Sequence, residues 1–255
     1  MRVSFIGSGN VATHLAKASK EAGIHIINIY SKNLQNAESL AALCNAKAVE
    51  NSFDLDTNID LLIVSVSDDA LPSISEQVKN FPCPVVHTAG SVNINAVYGD
   101  EHAYGVLYPL QTFSKTREQK LQNTPFFVEA SESSLEITLK QFVAQIGGQY
   151  NVANSEQRLH LHIAAVFACN FSNYMYSLAH NLLSKHQLSF EHLVPLILET
   201  AKKIQHLNPQ AAQTGPAKRH DHLTMQKHLE ALQEEPFYHS LYMLISAEIE
   251  KNQNS

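Results

Sequence analysis

The sequence predicts an α/β fold: a doubly wound, mostly parallel sheet over residues 1–152, followed by an all-helical C-terminal domain over residues 153–255. Three observations carry this expectation. Short β-branched runs alternate with helical segments as far as Val152. The first of these runs leads straight into a glycine turn of the form G-x-G-x-x-A at residues 7–12. From residue 155 to residue 187 there is neither Gly nor Pro, and Leu159, Ile163, Val166, Asn170, Tyr174 and Leu178 recur at helical spacing.

Taken in order, residues 3–6 read as a buried strand, and Val11, Leu15, Ala18 and Ala22 as one face of a helix that Gly23 ends in a left-handed cap. Residues 24–30 are short and β-branched, a second parallel strand that completes a βαβ unit of about 30 residues. A helix over 37–44 and a strand near 46–49 follow. Residues 59–66 form a nearly continuous apolar run, as expected of a strand buried on both faces. Asp69 reads as the cap of a helix over 70–80. Strands are expected at 85–91, 104–113 and 125–130, and a covering helix at 135–146 that ends at Gly147-Gly148. Pro109 stops the ladder of its strand and aims Tyr108 and Gln111 out of the sheet edge.

Residues 155–187 read as one long helix of about 45–50 Å. That length exceeds a small domain's diameter and implies a helix that joins two bodies or packs across a dimer. A second helix is expected over 189–206, with Pro195 kinking it or marking its first regular turn. A polar loop at 211–221 precedes two amphipathic helices, over 223–233 and 236–251.

The glycine turn has the form that holds a dinucleotide. Gly7 permits the tight turn, Gly9 lets the backbone approach a pyrophosphate, and Ala12 lets the helix lie close to the strand. Gly7, Ser8, Gly9, Asn10 and Val11 are therefore candidate pyrophosphate contacts at a positive helix end. The second strand ends in Ser31, Lys32 and Asn33, without the carboxylate that holds a free ribose 2′-hydroxyl. This favours NADP(H) over NAD(H), the alternative being that Lys32 is an ordinary solvated lysine. Ser65, Val66, Ser67 and Asp68, beyond the carboxyl end of a strand, should border the nucleotide.

His87, where a strand stops, either donates a proton or hydrogen bond to cofactor or substrate, or satisfies a neighbouring carbonyl. Asn170 and Asn173, one helical turn apart on an apolar surface, either bind substrate or the cofactor carboxamide, or cap a contact in a helical bundle. Arg219, beside Thr214-Gly215-Pro216, would suit a carboxylate or phosphate, or belong to a solvated turn.

Composition narrows the class. A chain of 255 residues with 44% hydrophobic content can bury a full core, and a net charge of −6 without basic blocks argues against nucleic acid. No apolar run approaches the roughly 20 residues of a membrane span, and the first strand leaves no room for a signal peptide, so a cytoplasmic protein is expected. Three scattered cysteines fit buried thiols in a reducing compartment. The 14 histidines include His160 with His162 and His220 with His222. Residues two apart on a helix diverge, so no metal site is expected. No nucleophile elbow supports hydrolase chemistry.

Together, GSGNVA at 7–12, SVSDD at 65–69, HTAGS at 87–91, YPLQTF at 108–113, HIAAVFACNF at 162–171 and TGPAKRHD at 214–221 resemble a bacterial Rossmann-like NADP oxidoreductase family with a helical C-terminal domain of unknown function. The resemblance covers essentially the whole chain. More distantly the layout is similar to pyrroline-5-carboxylate reductase, deazaflavin-dependent NADP oxidoreductases and 6-phosphogluconate or β-hydroxyacid dehydrogenases, which implies a homodimer through the C-terminal helices and an active site between domains. Two positions depart from the family pattern, which has His in place of Tyr108 and Gly in place of His220. The helix lysine of β-hydroxyacid dehydrogenases has no counterpart facing Asn170, so His87 or Tyr108 becomes the expected proton donor.

The expectation is an NADP(H)-dependent oxidoreductase acting on a small C=O or C=N substrate, with His87, Tyr108, Gln111 and Asn170 facing it. The alternative is a catalytically silent NADP-binding sensor or structural dimer.

Overall fold

A computed structural model of the chain describes residues 1–99, 102–117 and 119–252. The chain divides into two compact units, Met1–Asn170 and Phe171–Ser255. The first unit runs β1 (Arg2–Ile6), α1 (Asn10–Glu21), β2 (His25–Tyr30), α2 (Leu34–Cys44), β3 (Lys47–Val49), β4 (Leu61–Val64), α3 (Leu71–Val78), β5 (Val85–His87), β6 (Tyr104–Pro109), β7 (Pro125–Ala130), α4 (Ser133–Gln145), β8 (Gln149–Val152) and α5 (Ser155–Ala165).

The strands form one sheet in the order β3-β2-β1-β4-β5-β6-β7-β8. Every neighbouring pair is parallel except β6 and β7, which run antiparallel with Tyr108 opposite Phe127. The chain leaves β1 for one side of the sheet and returns to β4 on the other, so a topological switch point lies between these two strands, where ligands bind in open α/β sheets.

Strand periodicity builds the two faces of the core. Val3, Phe5, Leu61 and Ile63 pack with Leu15, Leu40 and Phe142 on one side. On the other side Ile6, Leu62 and Val64 pack with Leu71, Ile74 and Val78. Covered on both faces, all four residues of β4 are buried. The entry to α5 is set by a capping box, in which Asn154 accepts from the Gln157 N–H and the Gln157 side chain accepts from the Asn154 N–H.

One long helix over 155–187 is the expectation, and the chain is helical without a break over residues 155–185, with one irregular turn inside the run. Helix α5 passes into a π-helical segment at Val166–Phe171 and then into α6 (Ser172–Lys185). Without Gly or Pro, nothing in the residue pattern marks the widened turn.

The second unit adds α7 (Val194–Lys203), α8 (Pro209–Ala212), α9 (His222–Ala231) and α10 (Pro236–Lys251). Pro195 lies in the first turn of α7, where its missing N–H is harmless, so it starts this helix rather than kinking a longer one. Among the described residues of this unit only Leu178, Ala217 and Ser246 are buried, while Leu223 is 81% exposed and Leu196 and Leu244 are each 63% exposed. No helix among the described residues is long and apolar enough to cross a membrane.

Candidate functional site

The turn after β1 lies against the end of β4. Gly7 has φ +111, and a Cβ built on it would stand 2.1 Å from the Ser65 carbonyl oxygen, so no side chain fits. Its N–H donates to Tyr30 O at 2.7 Å, and the Ser65 N–H donates to Ile6 O at 2.7 Å, which locks three strand ends together. Gly9 is the N-cap of α1, with no side-chain cap and no acidic residue in the first turn. The first amides of α1 are thus left without intrahelical partners at the positive end of the dipole. A Cβ at Gly9 would meet nothing within 4 Å, which leaves the backbone open to a ligand, while Ala12 is fully buried against the sheet.

These elements line a cleft of about 1100 Å³ at the switch point, roomy enough for a dinucleotide. One wall brings together the predicted Gly7, Ser8, Gly9, Asn10, Val11, Ser31 and Lys32 with the predicted Ser65, Val66, Ser67 and Asp68. An uncapped helix end, two hydroxyls and a lysine fit a phosphate-bearing ligand. Ser8 Oγ donates to Ser31 Oγ at 2.8 Å. Thr88 Oγ1 donates to Ser65 Oγ at 3.1 Å, and Ser91 Oγ donates to Asp68 Oδ2 at 2.5 Å, so the loop after β5 is tied to the loop after β4.

Asn33 does not line the cleft; its Oδ1 accepts from the Asn36 N–H at 3.2 Å and caps α2, and Asn36 lines the wall instead. The Asn10 amide is turned aside too, donating to Phe113 O at 3.0 Å. His14 stacks on Phe113 at 4.9 Å between centroids, and its Nε2 lies 3.0 Å from Ser114 O. The loop after β6 is thereby latched to α1, with Lys115 at the cleft.

At the far end, Tyr108 Oη lies 3.1 Å from His162 Nδ1, and both residues line the cleft. Gly90 makes room for the pair: a Cβ there would stand 2.7 Å from Tyr108 Cζ and 2.8 Å from His162 Nδ1. Burial pushes the Tyr108 phenol above its ordinary value, against the opposing pull of the Arg158 guanidinium, so the phenol keeps its proton at neutral pH. Gln111 also lines the cleft, with its Oε1 accepting from the Thr112 N–H.

Three more candidate residues, His87, Asn170 and Asn173, stand outside the cleft lining. His87 is fully buried and does not line the cleft. Its Nδ1 accepts from the Ala89 N–H at 3.2 Å, which places the ring proton on Nε2, 3.1 Å from the Asn93 carbonyl. Burial first, then the Arg158 charge, lowers its pKa to about 4, so the ring is a neutral brace for its own loop. Asn170 is exposed in the π-helical segment, outside the cleft lining, and Asn173 is exposed in α6.

A family model described as NADP oxidoreductase, coenzyme F420-dependent, matches residues 2–86, and the domain of unknown function DUF2520 matches residues 124–249. The chain is 40% identical to the "putative NADP oxidoreductase BF3122" of Bacteroides fragilis, with 98% of each chain covered and a TM-score of 0.92. The chain belongs to this NADP oxidoreductase family. Pyrroline-5-carboxylate reductase of Streptococcus pyogenes shares the fold at 13% identity and TM-score 0.67, with 98% of each chain covered. The imine reductase of Myxococcus stipitatus in complex with NADP+ shares it at 14% and 0.65, with 100% of this chain and 94% of the other covered. No curated protein matches the chain.

This member of the NADP oxidoreductase family has site residues that sequence reasoning missed. His162 was read only as a doubtful metal ligand, and Arg158 was not singled out. Arg158 is fully buried; Nη1 lies 2.5 Å from Glu129 Oε2, and Nη2 donates to Val92 O. Arg158 and His162, four apart on α5, share one face, so the buried guanidinium fixes both the loop that carries Gly90 and the helix that carries His162. The i, i+4 spacing was the available signal. For Lys115 there was none, since its place depends on a latch made across 100 residues or more.

Proposed function

We propose that the chain transfers a hydride between NADP(H) and a small C=O or C=N substrate. The observation that carries this is one continuous cleft, with the uncapped end of α1 and the Ser31–Lys32 corner on its nucleotide side and the hydrogen-bonded Tyr108–His162 pair at its far end.

As a member of this family the protein takes NADP as its cofactor. When bound, the nicotinamide supplies the hydride. The amides of Gly9, Asn10 and Val11 hold the pyrophosphate, with Gly7 and Ser8 shaping the turn. Ser31 and Lys32 hold the 2′-phosphate, and Asn33 fixes the turn that presents them and starts α2. Residues 65–68 border the inner ribose. Tyr108 holds a proton at Oη and delivers it to the substrate oxygen or nitrogen, and His162 Nδ1 orients that hydroxyl and relays the replacement proton. Gln111 positions the substrate. Tyr108 takes the role for which His87 and Tyr108 were both candidates, because the buried His87 ring has both nitrogens engaged.

A homodimer through the C-terminal helices completes the proposal. A helical unit with three buried side chains among its described residues lacks a core of its own, and apolar groups such as Leu196, Leu223 and Leu244 need a second copy to cover them.

Titration of NADPH and NADH by nicotinamide fluorescence, followed by turnover against carbonyl and imine panels, tests the reading. Tight NADPH binding and turnover that Tyr108→Phe abolishes are expected. Saturable NADPH binding without turnover on either panel would favour the silent sensor, and a monomeric mass in light scattering would remove the dimer.

A further inference from the structure

The second unit holds a group of side chains that the proposed chemistry leaves unused. His220, His222 and Glu250 each offer one ligand atom, and these atoms lie within 4.8 Å of one another. Glu250 Oε1 stands 3.7 Å from His220 Nδ1 and 3.5 Å from His222 Nδ1. Both separations exceed the usual N–H···O range of about 2.7–3.2 Å. Although this oxygen is shielded from solvent, it has no hydrogen-bond partner. A shielded carboxylate oxygen left unpaired is costly. Donors at about 2.0–2.2 Å from a tetrahedral zinc lie about 3.3–3.6 Å from one another. The two carboxylate–imidazole separations lie at or just beyond that range, and the three atoms, all within 4.8 Å, close onto a common ion with a small movement of the exposed imidazoles.

The backbone marks the same place independently. His220 sits at φ +53 and ψ 36, in the left-handed region that a non-glycine residue adopts at a cost. Asp221 then caps α9, its Oδ1 accepting from the Thr224 N–H at 3.1 Å. Because His220 precedes the helix in this left-handed turn, the divergence expected of two residues spaced two apart on a helix does not apply. The two imidazole centroids lie 6.3 Å apart, and both Nδ1 atoms approach the carboxylate near the end of α10.

We propose that His220, His222 and Glu250 bind a divalent transition-metal ion of the zinc class, with two imidazole nitrogens and one carboxylate oxygen as protein ligands and water completing the shell. The nitrogen-rich donor set discriminates against Mg²⁺ and Ca²⁺, which take oxygen ligands. The bound ion ties the turn before α9 to the last turn of α10, a cross-link for a unit whose apolar packing is sparse.

Calorimetric titration of tag-free, full-length protein with Zn²⁺, in the absence of nucleotide, tests the assignment. One saturable site per chain is expected, with a raised unfolding temperature, and neither effect with Mg²⁺. His222→Ala and Glu250→Gln, with native circular dichroism, are each expected to lose that equivalent or to weaken it by at least about 100-fold. His160→Ala, which removes a histidine elsewhere, keeps it. Absence of a saturable Zn²⁺ site in the native protein, or an unchanged affinity in both variants, overturns the assignment.

Discussion

Replacing Gly90 with alanine tests the Tyr108–His162 pair through its packing. The new Cβ would stand 2.7 Å from Tyr108 Cζ and 2.8 Å from His162 Nδ1. Non-bonded carbons settle at about 3.5 Å or more, so a ring has to retreat by roughly 0.8 Å. Tyr108 has little freedom to do so, since its backbone lies in β6 between two neighbouring strands and its side chain is only 8% exposed. Because the new Cβ meets both rings, the Tyr108 ring is forced off its position along with the His162 ring, and the 3.1 Å contact between them is disturbed. Overpacking of this kind costs about 1–3 kcal/mol, and each kcal/mol lowers the unfolding temperature by about 2–4 °C in a chain of this size. Displacement of a positioned proton donor by nearly 1 Å lowers turnover by about 100-fold. The assay pairs steady-state turnover of the best acceptor with NADPH affinity from fluorescence: kcat is expected to collapse while affinity shifts far less. A folded Gly90→Ala protein with native kcat would refute the pair as the proton-delivering unit.

Three further outcomes are expected. Lys32→Ala should weaken NADPH by about 10- to 100-fold and leave NADH unaffected, as expected when one charge-assisted contact to a phosphate is lost; equal effects on both nucleotides would remove Lys32 from the 2′-phosphate site. Arg158→Met takes the guanidinium from the Val92 carbonyl and leaves the Glu129 carboxylate to the Ser155 hydroxyl, and should destabilise the fold by up to about 3–5 kcal/mol in chemical denaturation, with Glu129→Gln added on top restoring part of the loss; a loss below 1 kcal/mol would contradict the bracing role. The third concerns pH. Burial lowers the folded pKa of His87 from its ordinary 6.5 to about 4. Between those values the unfolded chain takes up a proton that the folded chain refuses, so stability falls as pH drops through this window, by up to about 3 kcal/mol. His87→Gln should flatten that slope, and an unchanged slope would place the acid sensitivity elsewhere.

The sheet was legible because its signals are local. The glycine turn and the apolar runs of β1 and β4 follow from strand periodicity and burial on two faces, and the stretch without Gly or Pro from residue 155 announces α5. The antiparallel direction of β7 was not legible, since residues 125–130 read the same in either direction. The asparagines and histidines show a different limit. Asn33 is a plausible phosphate contact until the cap is known, and the cap assigns it to the helix. His87 ends a strand as an active-site histidine would, but only the fold of the next six residues reveals that both its nitrogens are taken. His162 carried no local signal for its partner, because Tyr108 lies 54 residues earlier. His220 and His222 were weighed as helix neighbours, and neither the left-handed turn nor Glu250 could be read from their spacing.

The two glycines at the head of α1 are unlike in what they forbid. At Gly7 any side chain runs into the backbone of Ser65 just past the end of β4, so substitution there forces apart the middle of the sheet and is felt as loss of folded protein. At Gly9 a small side chain meets no atom of the protein at all. The chain would fold around it, and the injury would fall on whatever the cleft admits. Within one short motif, drift at the first glycine is policed by abundance and drift at the second by ligand recognition.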